Sequence, residues 1–159
     1  MGASPAYAML RAASVLISVA LAFEPVVIKI PETSQATSDA MTAWGKAMGK
    51  TMVYCKDTPG FIVNRVFVPF LLNCIKLVDE GIASKEDIDC AIKLGLGHPM
   101  GPLELVDHVG LDTLAFVSQE WCKAYPDMPE FNRPPLLDKM VAEGKFGHKN
   151  GEGFYKYKL

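Results

Sequence analysis

The side chains able to do chemistry are scattered along this sequence rather than gathered in one run. Asn64 and Arg65 close the stretch Asp57-Thr58-Pro59-Gly60-Phe61-Ile62-Val63-Asn64-Arg65. A carboxamide there is a neutral group with donors and an acceptor, suited to a cleft beside a buried helix. His108 follows Asp107 and invites comparison with an orienting carboxylate and its base. Consecutive residues of a helix do not face each other, so a surface or capping role is expected of His108. His98 is placed to line a pocket mouth, and His148 lies in a glycine-rich tail where solvation is expected. Gly95-Leu96-Gly97-His98-Pro99-Met100-Gly101 has the look of a phosphate-cradling glycine run. It follows a helix and contains a proline, so it is read as a turn. Lys145 and Lys149 are the cations placed to meet an acidic ligand, with solvation the commoner fate of such lysines. Cys55, Cys74, Cys90 and Cys122 form no C-x-x-C pair, and each sits in an apolar stretch. Buried reduced thiols, a reducing compartment and no structural zinc or other metal follow as expectations.

Composition limits the functions these groups can serve. The 159 residues carry 16 Lys+Arg against 18 Asp+Glu, a formal charge of −2 with the signs interspersed. No basic block is present to neutralise a phosphate backbone or hold an anionic membrane, so neither nucleic acid nor membrane is expected as a partner. One core plus an appendage fits the length. Residues 1–23 differ in character, with the single charge Arg11 and an apolar run from Ala12 to Phe23 that is too short to span a bilayer. They fit a secretory signal, an organelle transit peptide, or a packed or irregular leader.

The elements that must position the chemical groups begin at Val26. Val26 to Ile30 reads as a buried strand closed by Pro31. Thr33 or Ser34 can cap a helix in which Ala36, Ala40, Met41, Trp44, Ala47 and Met48 recur at helical spacing. Gly49 can stop that helix, and Thr51 to Cys55 reads as a second strand. Strand, helix, strand with short links is a right-handed crossover with parallel strands. Two strands make no stable sheet in water, so this unit is read as the trailing edge of a larger parallel sheet. Helices follow. The first is expected from Thr58 as N-cap and Pro59 as first helical residue to about Glu80, apolar almost all round, with Pro69 kinking it and Gly81 as its exit. Ser84-Lys85-Glu86-Asp87 opens a second, ending at Gly95, and Pro102 starts a third that stops or bends at Gly110. Asp112 is expected to cap a fourth, and Tyr125 to Pro135 to be a loop. Leu136 to Glu143 forms the last helix, and a glycine-rich link leads to Phe154-Tyr155-Lys156-Tyr157. Trp44 and Trp121 are expected in the core.

Several of these runs, in this order, resemble the short-chain, mitochondrial-type 3-hydroxyacyl-CoA dehydrogenase family. They are Asp57 to Arg65 followed by Pro69; Ser84-Lys85-Glu86-Asp87-Ile88-Asp89; Pro99-Met100-Gly101-Pro102-Leu103-Glu104-Leu105-Val106-Asp107; Val109-Gly110-Leu111-Asp112-Thr113; and Gly151-Glu152-Gly153-Phe154-Tyr155. The resemblance covers residues 26–159, and residues 1–22 match nothing in it. It implies a mainly α chain: the family's helical C-terminal domain over 57–159, preceded by a remnant βαβ unit of a truncated Rossmann domain over 24–56 and a leader over 1–23.

The family oxidises an L-3-hydroxyacyl-CoA to the 3-ketoacyl-CoA in fatty-acid β-oxidation, with NAD taking the hydride. A histidine takes the hydroxyl proton, a carboxylate orients it, and the asparagine of F-I-V-N-R helps to hold substrate. Asn64 matches that asparagine, while Arg65 is read as structural support. The family histidine precedes a Phe-Phe-Asn-Pro run, whereas Leu21-Ala22 precedes Phe23-Glu24-Pro25 here, and the family carboxylate falls at Val26. Glu24 lies near but has no imidazole to orient, and no glycine turn for the NAD pyrophosphate occurs before Val26. The resemblance therefore implies an acyl-CoA substrate, NAD as the family cofactor, homodimerisation through the helical domain and a mitochondrial matrix location, with the cytoplasm as the alternative. This chain alone is expected to be inactive. A non-catalytic dimerisation module and a truncated gene product are the competing readings.

Overall fold

The computed structural model describes residues 26–158. The leader, Glu24 and the position of the family histidine lie outside the described residues. Two compact units divide between Val66 and Phe67.

In the first unit, β1 (Val26–Lys29) and β2 (Val53–Lys56) pair in parallel, Val26 opposite Val53 and Lys29 opposite Lys56, with α1 (Gln35–Ala47) between them in sequence. Ser34 caps α1, its hydroxyl accepting from Thr37 N–H. The helix buries small and polar residues rather than its apolar ones. Ser38 and Gly45 are buried, Gly45 lying against the Met52 side chain, and Thr42 Oγ1 lies 2.9 Å from Tyr54 Oη. Met41, Trp44 and Met48 stay in solvent, Trp44 with 60% of its surface exposed. The expectation that Trp44 is core is therefore corrected. The backbone of α1 comes close to its neighbours at Gly45 and Ser38, and two strands of four residues offer no surface to cover the other stripe.

The chain leaves β2 through a turn over Thr58–Phe61, closed by Phe61 N–H to the Thr58 carbonyl at 3.0 Å. Pro59 and Gly60 occupy its centre, and Gly60 has the left-handed φ of 75° that a type II turn demands of its third residue. The helix expected from Pro59 thus begins later, as α2 (Val63–Asp79), because proline followed by glycine favours the turn over a helical start.

The second unit is all helix and tail. Within it lie the rest of α2, α3 (Lys85–Leu96), α4 (Pro102–Val109), α5 (Leu111–Ala124) and α6 (Pro135–Ala142). Ser84 caps α3 by accepting from Asp87 N–H, and Gly97, not Gly95, is its left-handed exit. Leu72, Ile75, Leu103, Val106, Leu111 and Leu137 are each at most 2% exposed and form the core. α2 buries Val68, Leu71, Leu72, Cys74 and Ile75, while Leu77 remains 37% exposed. Asp112 does not cap α5; it pairs instead with Lys149 at 2.7 Å, and Gly110 holds the cap position. The segment expected to be a plain loop contains a short 3-10 turn, Pro129–Phe131, that drives Phe131 fully into the core against Trp121, ring centroids 5.0 Å apart. Trp121 is buried as expected.

The C-terminal tail is fastened by two carboxylates. Asp107, fully buried on α4, accepts from Phe154 N–H and Tyr155 N–H, each at 2.8 Å, and from Tyr157 Oη at 2.9 Å. Asp89, on α3, accepts from Leu103 N–H and Glu104 N–H at the start of α4 and from Tyr155 Oη. Gly147, at φ 90°, passes so close to the Asp107 backbone that a Cβ would run into it. Replacing Asp107 with Ala leaves three donors without their acceptor and is expected to destabilise the fold by about 3 kcal/mol or more in urea unfolding. Asp112→Ala, which removes only an exposed pair, is expected to cost less than about 1 kcal/mol.

Candidate functional site

Asn64 is the second residue of α2, set there by the turn before it. Gly60 and Phe61 adopt consecutive left-handed conformations, Phe61 at φ 49°. A bulky residue in that region is strained by about 1–3 kcal/mol, and such strain concentrates where a side chain must be aimed. The helix then starts under tight control, with Arg65 N–H bonded to the Gly60 carbonyl at 3.2 Å. Asn64 is half-buried, and among the described residues its carboxamide has no hydrogen-bond partner. A half-buried amide left open in this way can still donate to one oxygen and accept from one hydroxyl. Arg65, also half-buried, has a partner within the protein, which suits structural support.

The other sequence candidates separate. Val26, at the position of the family carboxylate, is a half-buried residue of β1 and has no proton to exchange. His108 is exposed, with its ring edge-on to His148 at 5.4 Å, while Asp107 is spent on the tail, so the two do not form a catalytic pair. His148 is exposed, with its ring tilted against that of Tyr157, centroids 3.7 Å apart. His98 packs against Phe67 and Phe70, centroids 6.2 and 5.8 Å away. Lys145 is held by Glu143 and Glu152, and Lys149 by Asp112 and Thr113. Among the described residues no group of three or more His, Cys, Asp or Glu is placed to hold a metal ion.

The link between β1 and α1 is not shaped as a pyrophosphate cradle. The β1-to-α1 connection is a turn closed by Thr33 N–H to the Ile30 carbonyl, and the amides of the third and fourth residues of α1 are already used, Thr37 N–H by Ser34 Oγ and Ser38 N–H by the Ser34 carbonyl. That leaves no glycine turn there through which backbone amides could reach a pyrophosphate. No helix among the described residues is long and apolar enough to cross a membrane.

Sequence reasoning missed Asp89 and Asp107 as the groups that hold the tail. One signal was available: Asp107 interrupts the otherwise apolar inner face of α4, which buries Leu103 and Val106. Burial pushes the Asp107 carboxyl up, and the Tyr155 and Phe154 amides, the Tyr157 hydroxyl and His148 pull it back. Burial, followed by the bonded aspartates, raises both Tyr155 and Tyr157, so each phenol keeps the proton it donates. The four cysteines are free, but only Cys74 is buried. Cys90 is exposed on α3, which corrects the expectation of four buried thiols; its apolar neighbours in sequence lie on other sides of the helix.

Residues 60–157 match the family described as 3-hydroxyacyl-CoA dehydrogenase, C-terminal domain. This chain belongs to the 3-hydroxyacyl-CoA dehydrogenase family, and its helical unit is that family's C-terminal domain. It is 57% identical over 132 residues to human mitochondrial hydroxyacyl-coenzyme A dehydrogenase, an alignment covering 83% of this chain and 42% of the human protein. With the 3-hydroxybutyryl-CoA dehydrogenase of Mycobacterium tuberculosis (strain ATCC 25618 / H37Rv) it shares 47% identity over 110 residues, 69% of this chain and 38% of that one. The crystal structure of (S)-3-hydroxybutyryl-CoA dehydrogenase from Ralstonia eutropha superposes with a TM-score of 0.79 at 38% identity, covering 84% of this chain and 47% of the other. The chain thus spans less than half the length of these relatives.

Thiol accessibility checks the geometry of the helical unit. Burial and the nearby Asp89 carboxylate push the Cys74 thiol up to about 11, so little thiolate exists at pH 8. Iodoacetamide at pH 8 followed by mass spectrometry is expected to modify Cys90 first and Cys74 only after unfolding.

Proposed function

We propose that this chain supplies the substrate-side, helical part of an NAD-dependent L-3-hydroxyacyl-CoA dehydrogenase of fatty-acid β-oxidation, with Asn64 as the group that positions the acyl-CoA. The open Asn64 carboxamide, fixed on the first turn of α2 by the strained Gly60-Phe61 pair, carries this reading. Loss of hydride from the carbinol carbon requires loss of the hydroxyl proton, and a positioned base accelerates that step by roughly 10² to 10⁴. In this reading the base and the pyrophosphate cradle come from elsewhere, since the residues before Val26 match neither the family histidine nor its glycine turn. On this reading the chain alone binds on the substrate side and does not turn over. In this reading the NAD-side chemistry belongs to the family's nucleotide-binding part, of which 24–56 is a remnant, and 57–159 is the separate helical domain. The mitochondrial names of several relatives support a matrix location.

A second reading, a non-catalytic dimerisation module, is favoured by the apolar side chains that the helical unit leaves exposed, among them Ile82 at 66%, Leu94 at 76% and Phe116 at 49%. The two readings are compatible, since family members are expected to pair through this domain.

Two measurements test them. The purified chain, given NAD and 3-hydroxybutyryl-CoA, is expected to form no NADH. Joined genetically to the nucleotide-binding half of the human relative, it is expected to do so, with Asn64→Ala lowering kcat/KM by about tenfold or more through lost substrate hydrogen bonding. NADH formation by the chain alone, or an active fusion indifferent to Asn64→Ala, contradicts the catalytic reading. Size-exclusion chromatography with light scattering is expected to show a dimer, and a strict monomer at tens of micromolar removes the pairing.

A further inference from the structure

We propose that the open cavity bordered by the end of α2, the start of α3, α6 and the C-terminal tail binds a small amphiphilic anion: an alkyl or acyl group carrying a phosphate or carboxylate head. The inference is independent of the dehydrogenase reading, since none of the residues involved is assigned to that site. The cavity has a volume of about 340 Å³, which is in the range of small-molecule sites. Val78, Leu136, Met140 and Phe154 give it an apolar wall. Four lysines stand around that wall, at positions 85, 139, 145 and 156, against two glutamates, at 143 and 152.

The ion pairs decide which of these charges remain for a ligand. Glu143 and Glu152 are both directed at Lys145, at 2.9 and 3.8 Å, with Lys139 acting on Glu143 from farther away. Lys85 donates to the Phe154 carbonyl and lies 4.7 Å from the centre of the Tyr155 ring, a neutral setting apart from Glu86 at 3.8 Å. Among the described residues neither Lys139 nor Lys156 forms an ion pair within 4 Å, although Lys139 acts through space on Glu143 and helps to lower its carboxyl; the two reach the cavity from different elements, α6 and the tail. An apolar wall beside four lysines and two glutamates, with Lys156 and Lys139 outside any close ion pair, complements a ligand with one apolar end and one anionic end. A plain inorganic anion leaves the wall wet, and a plain hydrocarbon leaves the lysines without a counter-charge.

Isothermal titration of the full chain with hexyl phosphate, hexanoate and inorganic phosphate tests the proposal. Lys139→Gln/Lys156→Gln serves as the control; both side chains are exposed, and a thermal melt checks that the variant folds. Saturable one-to-one binding of hexyl phosphate or hexanoate is expected, weakened by about tenfold in the double variant and by a similar factor when the alkyl chain is removed. Whichever of the two organic probes binds more tightly identifies the head group. The proposal is overturned if neither saturates, if the folded double variant binds as tightly as the wild type, or if inorganic phosphate binds as tightly as hexyl phosphate.

Discussion

A single buried carboxylate organises the helical unit. Asp107 sits on α4 with no solvent exposure, and burial of a charge is costly unless it is fully hydrogen-bonded. Two amides and a phenol from the tail meet that need, so the last residues of the chain become part of the core rather than an appendage. Asp89 repeats the arrangement one helix away, joining the first amides of α4 to the Tyr155 hydroxyl. Between them the two acids fix α3, α4 and the tail in one geometry. Apolar packing alone does not specify a partner in this way, because it is non-directional. The tail in turn sets Phe154 into the core and places Lys156 at the cavity beside α6.

The βαβ unit follows a different principle. Its helix approaches the rest of the unit through Gly45, Ser38 and Thr42, which permit close contact but bury little apolar area. At roughly 25 cal/mol per Å², such an interface contributes little hydrophobic stabilisation. The apolar stripe of Met41, Trp44 and Met48 is the larger asset, and it faces solvent. A surface helix with one apolar face is built to be covered on that face. Within its own unit this helix is covered on the other one.

Periodicity made most helices legible, because α2 to α6 alternate covered and exposed positions at a spacing the sequence shows directly. Caps at Ser34 and Ser84 were equally readable, since a hydroxyl three residues before an amide that needs an acceptor is a local feature. What stayed hidden was non-local. Phe131 lies among prolines, and nothing near it in sequence says that Trp121 waits ten residues back. Asp107 looked like half of an acid-base pair with His108, and only the return of the tail some fifty residues later shows what it binds. The exposure of Trp44 had the same origin: its apolar spacing was correctly read, but whether a stripe is covered depends on what stands opposite. For the candidate site, Asn64 was legible through its motif, whereas the left-handed Phe61 beside it was not, because non-glycine residues seldom adopt that conformation.

That pair of left-handed residues bears on why the motif has its composition. A type II turn needs glycine at its third position, and Pro59 before it fixes the φ of the second, so Pro-Gly forms the turn at small entropic cost. The strain falls on the next residue. Phe61 at φ 49° gains nothing locally from that conformation; a glycine there would relieve it. A half-buried aromatic side chain offsets the strain through packing that glycine lacks. The sequence therefore keeps a stiff joint where a looser one was available. A stiff joint one turn before Asn64 fixes the direction of its carboxamide more closely than a flexible loop would, and a lone neutral amide can orient a substrate only if it is itself held still.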